Sequence, residues 1–149
     1  MEDAVLFYAG EFGYTFSNFS AFGVTWRGRW AMTSEHHYHA SKFDDEEIIN
    51  EIYAANSAHD ALKISRKYEA EGKVRPDWSR ELSVEIMYEI ITCKHDQNPY
   101  VQKQLKESVG RALIENAPKD SFWGRGPDWQ GLNMLGKLWM RLRDERYPS

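Results

Sequence analysis

Thr33-Ser34-Glu35-His36-His37-Tyr38-His39-Ala40-Ser41-Lys42-Phe43 is the stretch at which the chain changes character. Ser34 stands where a helix N-cap belongs, which predicts a helix from there to about Phe43. Upstream, residues 5–8 and 23–26 hold short β-branched and aromatic runs that predict strands, and residues 12–19 form a glycine-punctuated aromatic loop. Downstream the pattern is helical. Helices are expected over 46–56 and 57–71, with Gly72 as a stop. The strongest periodicity covers 77–95, where Leu82, Ile86 and Ile90 recur every four residues and Met87 and Ile91 widen the face. Asn98-Pro99 opens a helix toward Ser108, residues 112–115 predict a strand, and residues 122–131 read as a loop. The last helix starts near Leu132 and carries Leu135, Leu138, Trp139 and Leu142 on one stripe. The expected architecture is helix-rich with a small strand component.

The length of 149 residues fits one domain, taken as 1–149, and 42% hydrophobic residues supply one core. No run of about 18 apolar residues is present, so no membrane span is expected. The acidic start, Met1-Glu2-Asp3, predicts no secretory leader. The single Cys93 permits neither an internal disulfide nor a Cys-rich zinc site. Together these predict a reducing, cytoplasmic setting. The net charge of −4 argues against a generic duplex-DNA binder. Charge is uneven, −7 over residues 1–60 and +3 over 61–149, so the second part can hold an anionic small molecule.

Glu35 and Lys42 lie seven residues apart, which in a helix puts both on nearly one face with Cα atoms about 10.5 Å apart. A carboxylate and an amine converging on a ligand suit acid–base work or capture of an aldehyde; a solvated helix face is the plain alternative. His36, His37 and His39 invite a metal site, but the metalloprotease spacing is absent and packing is the simpler reading. Cys93 near His95 lacks any nucleophile signature. The second informative stretch runs from Asp120 through Trp123, Gly124, Arg125 and Gly126 to Asn133. Its glycines allow close backbone approach, Trp123 offers a stacking face, and Asp120 and Arg125 offer a carboxylate and an anion partner. Asn133 either caps the final helix or binds ribose hydroxyls. Asn18, between Phe16 and Phe19, either reads a ligand amide or closes an Asx-turn.

In order, Phe16-Ser17-Asn18-Phe19, Thr33 to Phe43, Asp120-Ser121-Phe122-Trp123-Gly124 and Asn133-Met134-Leu135-Gly136 leading into Met140-Arg141-Leu142-Arg143 resemble the YbiA-like family, also called NADAR. Arg75 and Trp78 resemble its middle motif. The resemblance covers about residues 7–146. It implies a compact, mainly helical α+β domain and N-glycosidase chemistry on ribosyl or ADP-ribosyl compounds. Some members are similar to enzymes that cleave ribosylamino-pyrimidine phosphates of the riboflavin pathway, others to hydrolases that strip ADP-ribose from guanine. It implies that Glu35 is the key carboxylate, that Lys42 is a second catalytic or substrate-holding group, and that Asp120 and Trp123 belong to the same pocket. Asn18, Ser34, Arg75, Trp78, Gly124, Arg125 and Asn133 are the matching substrate-binding candidates. Three positions depart from the family pattern: Ala31-Met32 replace Trp-Pro, Arg125 replaces an acid between two glycines, and Leu132 replaces a lysine before Asn133.

On this reading an oxocarbenium-like transition state forms at the anomeric carbon, Glu35 stabilises it or activates water, and Asp120 is a second catalytic carboxylate that orients ribose hydroxyls or protonates the leaving base. No metal or redox cofactor is required. The expected partner is a small ribosyl or ADP-ribosyl substrate, or ADP-ribosylated nucleic acid engaged locally, with no membrane. The rivals are a non-catalytic NAD or ADP-ribose sensor module, which needs no reactive Glu35–Lys42 pair, and a protein adaptor with an exposed aromatic patch.

Overall fold

The computed structural model describes residues 4–8 and 14–148. In chain order these hold β1 (Val5–Phe7), a 3-10 turn (Tyr14–Phe16), β2 (Val24–Trp26), β3 (Arg29–Ala31), α1 (Ser34–Ala40), α2 (Glu46–Tyr53), α3 (Ala58–Ala70), α4 (Arg80–Gln97), α5 (Pro99–Glu107), β4 (Leu113–Glu115) and α6 (Met134–Arg146). The architecture is α+β and mainly helical, as expected. Of the expected aromatic loop, Phe12 and Gly13 lie outside the described residues, and residues 14–16 form the 3-10 turn. The elements group into two units, one drawn from residues 1–20 and 98–149, the other from 21–97.

In the unit of residues 21–97, α1 is the centre. It packs against α2, α3, α4 and β3, and all seven of its residues are buried. Thr33, rather than Ser34, is its N-cap: Thr33 has extended backbone and its hydroxyl accepts the His36 N–H at 3.3 Å. A cap must lie outside the helical φ/ψ region, and Ser34 already occupies the first helical position. The Thr33 hydroxyl also meets His36 Nδ1 at 2.7 Å, while Nε2 of that ring lies 3.0 Å from the Ala55 carbonyl. A carbonyl only accepts, so Nε2 donates to it and, in the neutral ring, the Thr33 hydroxyl donates to Nδ1. His37 repeats the arrangement, with Nε2 donating to the Val24 carbonyl at 2.8 Å and Nδ1 accepting from Tyr53 Oη at 2.7 Å. Burial lowers the His37 pKa, with the Val24 carbonyl pulling the other way.

The chain makes a hairpin where one strand was expected. β2 and β3 pair antiparallel, Trp26 opposite Arg29, and the turn residues Arg27 and Gly28 have φ of 51° and 80°. Two successive positive φ values are what a two-residue turn between twisted strands requires. Arg27 holds this conformation with its guanidinium over the Trp26 ring, 4.5 Å from the centroid, and bonded twice to Glu89. Trp26 is buried, whereas Trp30 is exposed and its indole lies against Gly23, where an added Cβ would come within 2.7 Å of it. The helices are slightly shorter than expected. α3 starts after Ser57, which caps it, and Gly72 follows it at φ 72°. α4 begins at Arg80, because Asp77 is drawn into a pair with Arg75 and the Ser79 hydroxyl accepts the Leu82 N–H. Ile86, Met87, Ile90 and Ile91 are buried on α4, as its periodicity predicts.

In the other unit β1 and β4 pair in parallel, Val5 opposite Leu113 and Phe7 opposite Glu115. Phe7, Phe16 and Trp139 form an aromatic core, with ring centroids 5.9 Å apart between Phe7 and Phe16 and 5.1 Å between Phe16 and Trp139. The fully buried Trp139 donates its Nε1–H to the Phe16 carbonyl at 3.0 Å. Leu135, Leu138 and Leu142 bury the expected stripe of α6. Arg143, also buried, donates to the carbonyls of Ser108 and Arg111 and so closes the end of α5.

The buried His37 gives stability a pH dependence. The folded ring binds a proton less readily than the unfolded one, whose pKa is near 6.5. As pH falls below about 6.5, the unfolded chain takes up the extra proton and stability drops. Denaturant midpoints measured from pH 8 to pH 5 should fall along this limb, and His37→Gln, which does not titrate, should flatten it.

Candidate functional site

α1 has two chemical faces. His36, His37 and Ala40 turn to the interior just described. Glu35, Tyr38, His39 and, past the helix end, Lys42 recur three or four residues apart and so share the other face. Glu35 Oε2 lies 3.0 Å from His39 Nε2, and the two side chains are only 10% and 5% exposed. Lys42 Nζ donates to Glu69 Oε2 at 3.2 Å and sits 5.0 Å from the centroid of the Tyr38 ring. Glu69 Oε2 also accepts from Ser65 Oγ at 2.6 Å. Burial pushes the Glu69 carboxyl up, but the Ser65 hydroxyl and the Lys42 ammonium together hold it below its ordinary value, and His39 acts in the same direction. The result is a row of alternating character, Glu35, His39, Glu69 and Lys42, built by α1 and α3.

The remaining candidates of this unit support that row. Ser34 is fully buried, and its Oγ has no partner among the described residues. The Arg75 N–H donates to the Lys42 carbonyl at 2.8 Å and its guanidinium donates to the Ser41 carbonyl, so the loop before α4 is tied to the end of α1. Arg75 is otherwise held by Asp77 through two bonds of 2.6 and 2.7 Å. The half-buried Trp78 meets Tyr38 edge-on at 5.9 Å. Arg75 and Ser41 also line a cavity of about 370 Å³ together with Trp26, Arg29 and Tyr53; Glu35, His39 and Lys42 do not line it.

Asn18, Asp120, Trp123, Gly124, Arg125 and Asn133 lie in the other unit. Asn18 is buried. Asp120 Oδ1 accepts the N–H groups of Phe122 and Trp123 at 3.0 and 2.8 Å, which fixes the turn that carries the half-buried Trp123. Gly124 is required by space: a Cβ there would lie 2.7 Å from that of Ala117. Arg125 donates to Asn116 Oδ1 and to the Gly126 carbonyl, and its guanidinium lies 4.2 Å from the Trp129 ring centroid. Asn133 precedes α6 with φ 52° and makes no capping bond with its side chain. That side chain instead bridges β4, accepting from the Glu115 N–H at 2.9 Å and donating to the Leu113 carbonyl at 3.0 Å.

The three histidines that invited a metal reading point to three different partners, Ala55, Val24 with Tyr53, and Glu35. Burial, then the negative charges of Glu89 and Asp96, push the Cys93 thiol up, opposite to what a nucleophile needs. Sequence reasoning missed Glu69 and the service His39 gives Glu35. The available signal was spacing: His39 follows Glu35 by four residues, and Glu69 follows Ser65 by four.

A family model of the NADAR domain matches residues 6–145. A riboflavin biosynthesis protein of Vibrio vulnificus is 36% identical over 97% of this chain, which spans only 39% of that protein's length. An N-glycosidase of Nostoc punctiforme is 36% identical over 87% of this chain and 83% of its own. N-glycosidase YbiA of Escherichia coli is 31% identical over 97% of this chain and 90% of its own. The NMR structure of that protein matches with a TM-score of 0.84 at 30% identity, covering 97% of this chain and 86% of that one.

Asn133→Ala should cost about 2 kcal/mol, because it leaves the Glu115 N–H and the Leu113 carbonyl without this partner. Chemical denaturation measures this; an unchanged midpoint would show that the bridge carries no stability.

Proposed function

Because the chain belongs to the NADAR domain family, we propose that it is a hydrolase of N-glycosyl compounds, cleaving the bond between a ribosyl anomeric carbon and a nucleobase-type leaving group. The observation that carries this reading is the buried Glu35 carboxylate, held through Oε2 by His39 in a row with Glu69 and Lys42. Water attacks the anomeric carbon and loses a proton to Glu35; the carbon–nitrogen bond breaks, its electron pair leaves with the base, and the base takes up a proton from solvent. A general base in this position contributes about 10²–10⁴-fold. Lys42 supplies the cation of the row, suited to a phosphate of the substrate.

Two relatives with lengths close to this chain's are named N-glycosidases, and a longer one is named for riboflavin biosynthesis. These names support cleavage of an N-glycosidic bond; the substrate classes we propose are ribosylamino-pyrimidine phosphates and ADP-ribose carried on guanine. The setting we propose is the cytoplasm.

The test is a mass-resolved product panel. The protein is incubated with NAD, ADP-ribosylated guanosine and a ribosylamino-pyrimidine phosphate, and release of free base is followed. The wild-type protein should release base from at least one of them, and Glu35→Gln should lower that rate at least about 10²-fold without loss of the folded state. Full turnover by Glu35→Gln would remove Glu35 from the chemistry. Binding without turnover across the panel would point instead to a sensor module.

A further inference from the structure

We propose that His39 is the positioning residue of the reaction: it locks the Glu35 carboxylate through Oε2 and leaves Oε1 as the oxygen that takes the proton from water. The inference rests on the reading of Glu35 as the reactive carboxylate.

Glu35 and His39 are one helical turn apart on α1, so their side chains meet on one face. An ionised carboxylate only accepts, so the proton of the 3.0 Å contact sits on His39 Nε2. Both side chains are almost wholly buried, and in that setting a bond to an ionised acceptor is stronger than in water. With Oε2 occupied, the carboxylate cannot rotate about its end without breaking this bond. Oε1 makes no hydrogen bond to the described residues.

The other end of the imidazole distinguishes His39 from its neighbours on α1. His39 Nδ1 is buried and has no hydrogen-bond partner among the described residues, in contrast to His36 and His37, whose two ring nitrogens are each satisfied. An unpaired buried nitrogen is unfavourable, and its presence needs an explanation. Holding Glu35 supplies one. His39 is also near Glu69, whose carboxyl it helps keep low.

The test compares His39→Leu with His39→Gln in the full-length protein, using whichever of NAD, ADP-ribosylated guanosine or ribosylamino-pyrimidine phosphate the wild type hydrolyses fastest. Gln can place an amide N–H where Nε2–H stands; Leu cannot. Misplacing a reacting group by a small distance costs about 10²-fold. His39→Leu should therefore lower kcat by about that factor with KM little changed, and His39→Gln should recover most of the loss. Undiminished kcat in His39→Leu would overturn the proposal, as would equal losses in both variants. If Glu35→Gln is inactive while His39→Leu is fully active, only the positioning role fails; if Glu35→Gln is itself active, the reading beneath it fails. A readout free of turnover is nitrogen-15 NMR of the histidines. His39 Nε2 should carry a proton in the wild type, and an Nε2 without one would contradict the assignment.

Discussion

A helix made of Ser34, Glu35, His36, His37, Tyr38, His39 and Ala40 is wholly buried, and the unit of residues 21–97 is organised by that fact. Burying so many polar groups is affordable only when each finds a partner. The neighbours of α1 supply them: Val24 of β2 offers a carbonyl to His37, Tyr53 of α2 a hydroxyl, Ala55 a carbonyl to His36, and Thr33 a cap. The apolar cluster of Ala40, Phe43, Ile48, Ile52, Ala55 and Ala61 packs the same region, so the satisfied imidazoles are locked into a close-packed core. What remains unsatisfied is instructive. Among the described residues His39 Nδ1 and Ser34 Oγ find no partner, and His39 lies on the face that carries the proposed chemistry.

The second unit solves a different problem, that of holding an irregular loop still. Residues 121–135 form few regular bonds of their own, yet the N–H groups of Leu132, Asn133, Met134 and Leu135 donate in succession to the carbonyls of Ser121, Gly124, Phe122 and Trp123. Asp120 pins one end and Asn133 ties the other to β4. Gly136 completes the fit, because a side chain there would run into the Leu113 carbonyl. The glycines and the asparagine of this segment have a structural task, which explains why a loop so short of secondary structure presents its aromatic residues in fixed positions.

Much of this was legible in the sequence. The helices α2 to α6 announce themselves through periodicity, through Ser57, Gly72 and Pro99 as boundaries, and through the Trp139 stripe. β3 was not legible, because Arg27-Gly28 is a less common turn pair than Asn-Gly and its strain is relieved by Trp26 and the distant Glu89. The cap shifted by one residue because Thr33 and Ser34 are both good caps, and only backbone geometry chooses between them. At the site, the spacing of Glu35 and Lys42 suggested one helix face, but α1 ends at Ala40, short of the expected Phe43, and the two side chains pair separately, with His39 and with Glu69. Glu69 was not visible, since its pairing with Lys42 spans 27 residues and depends on how α3 packs against α1. His39 read as one of three similar histidines until the partner of each ring was known.

The central claim is that Glu35 faces the anomeric carbon of an N-glycoside. It is tested most directly by a structure of the Glu35→Gln protein with the intact substrate bound. The anomeric carbon should sit within reach of the side chain at position 35 through one bridging water, with His39 still bonded to that side chain. A substrate whose anomeric carbon is turned away from α1 would contradict it.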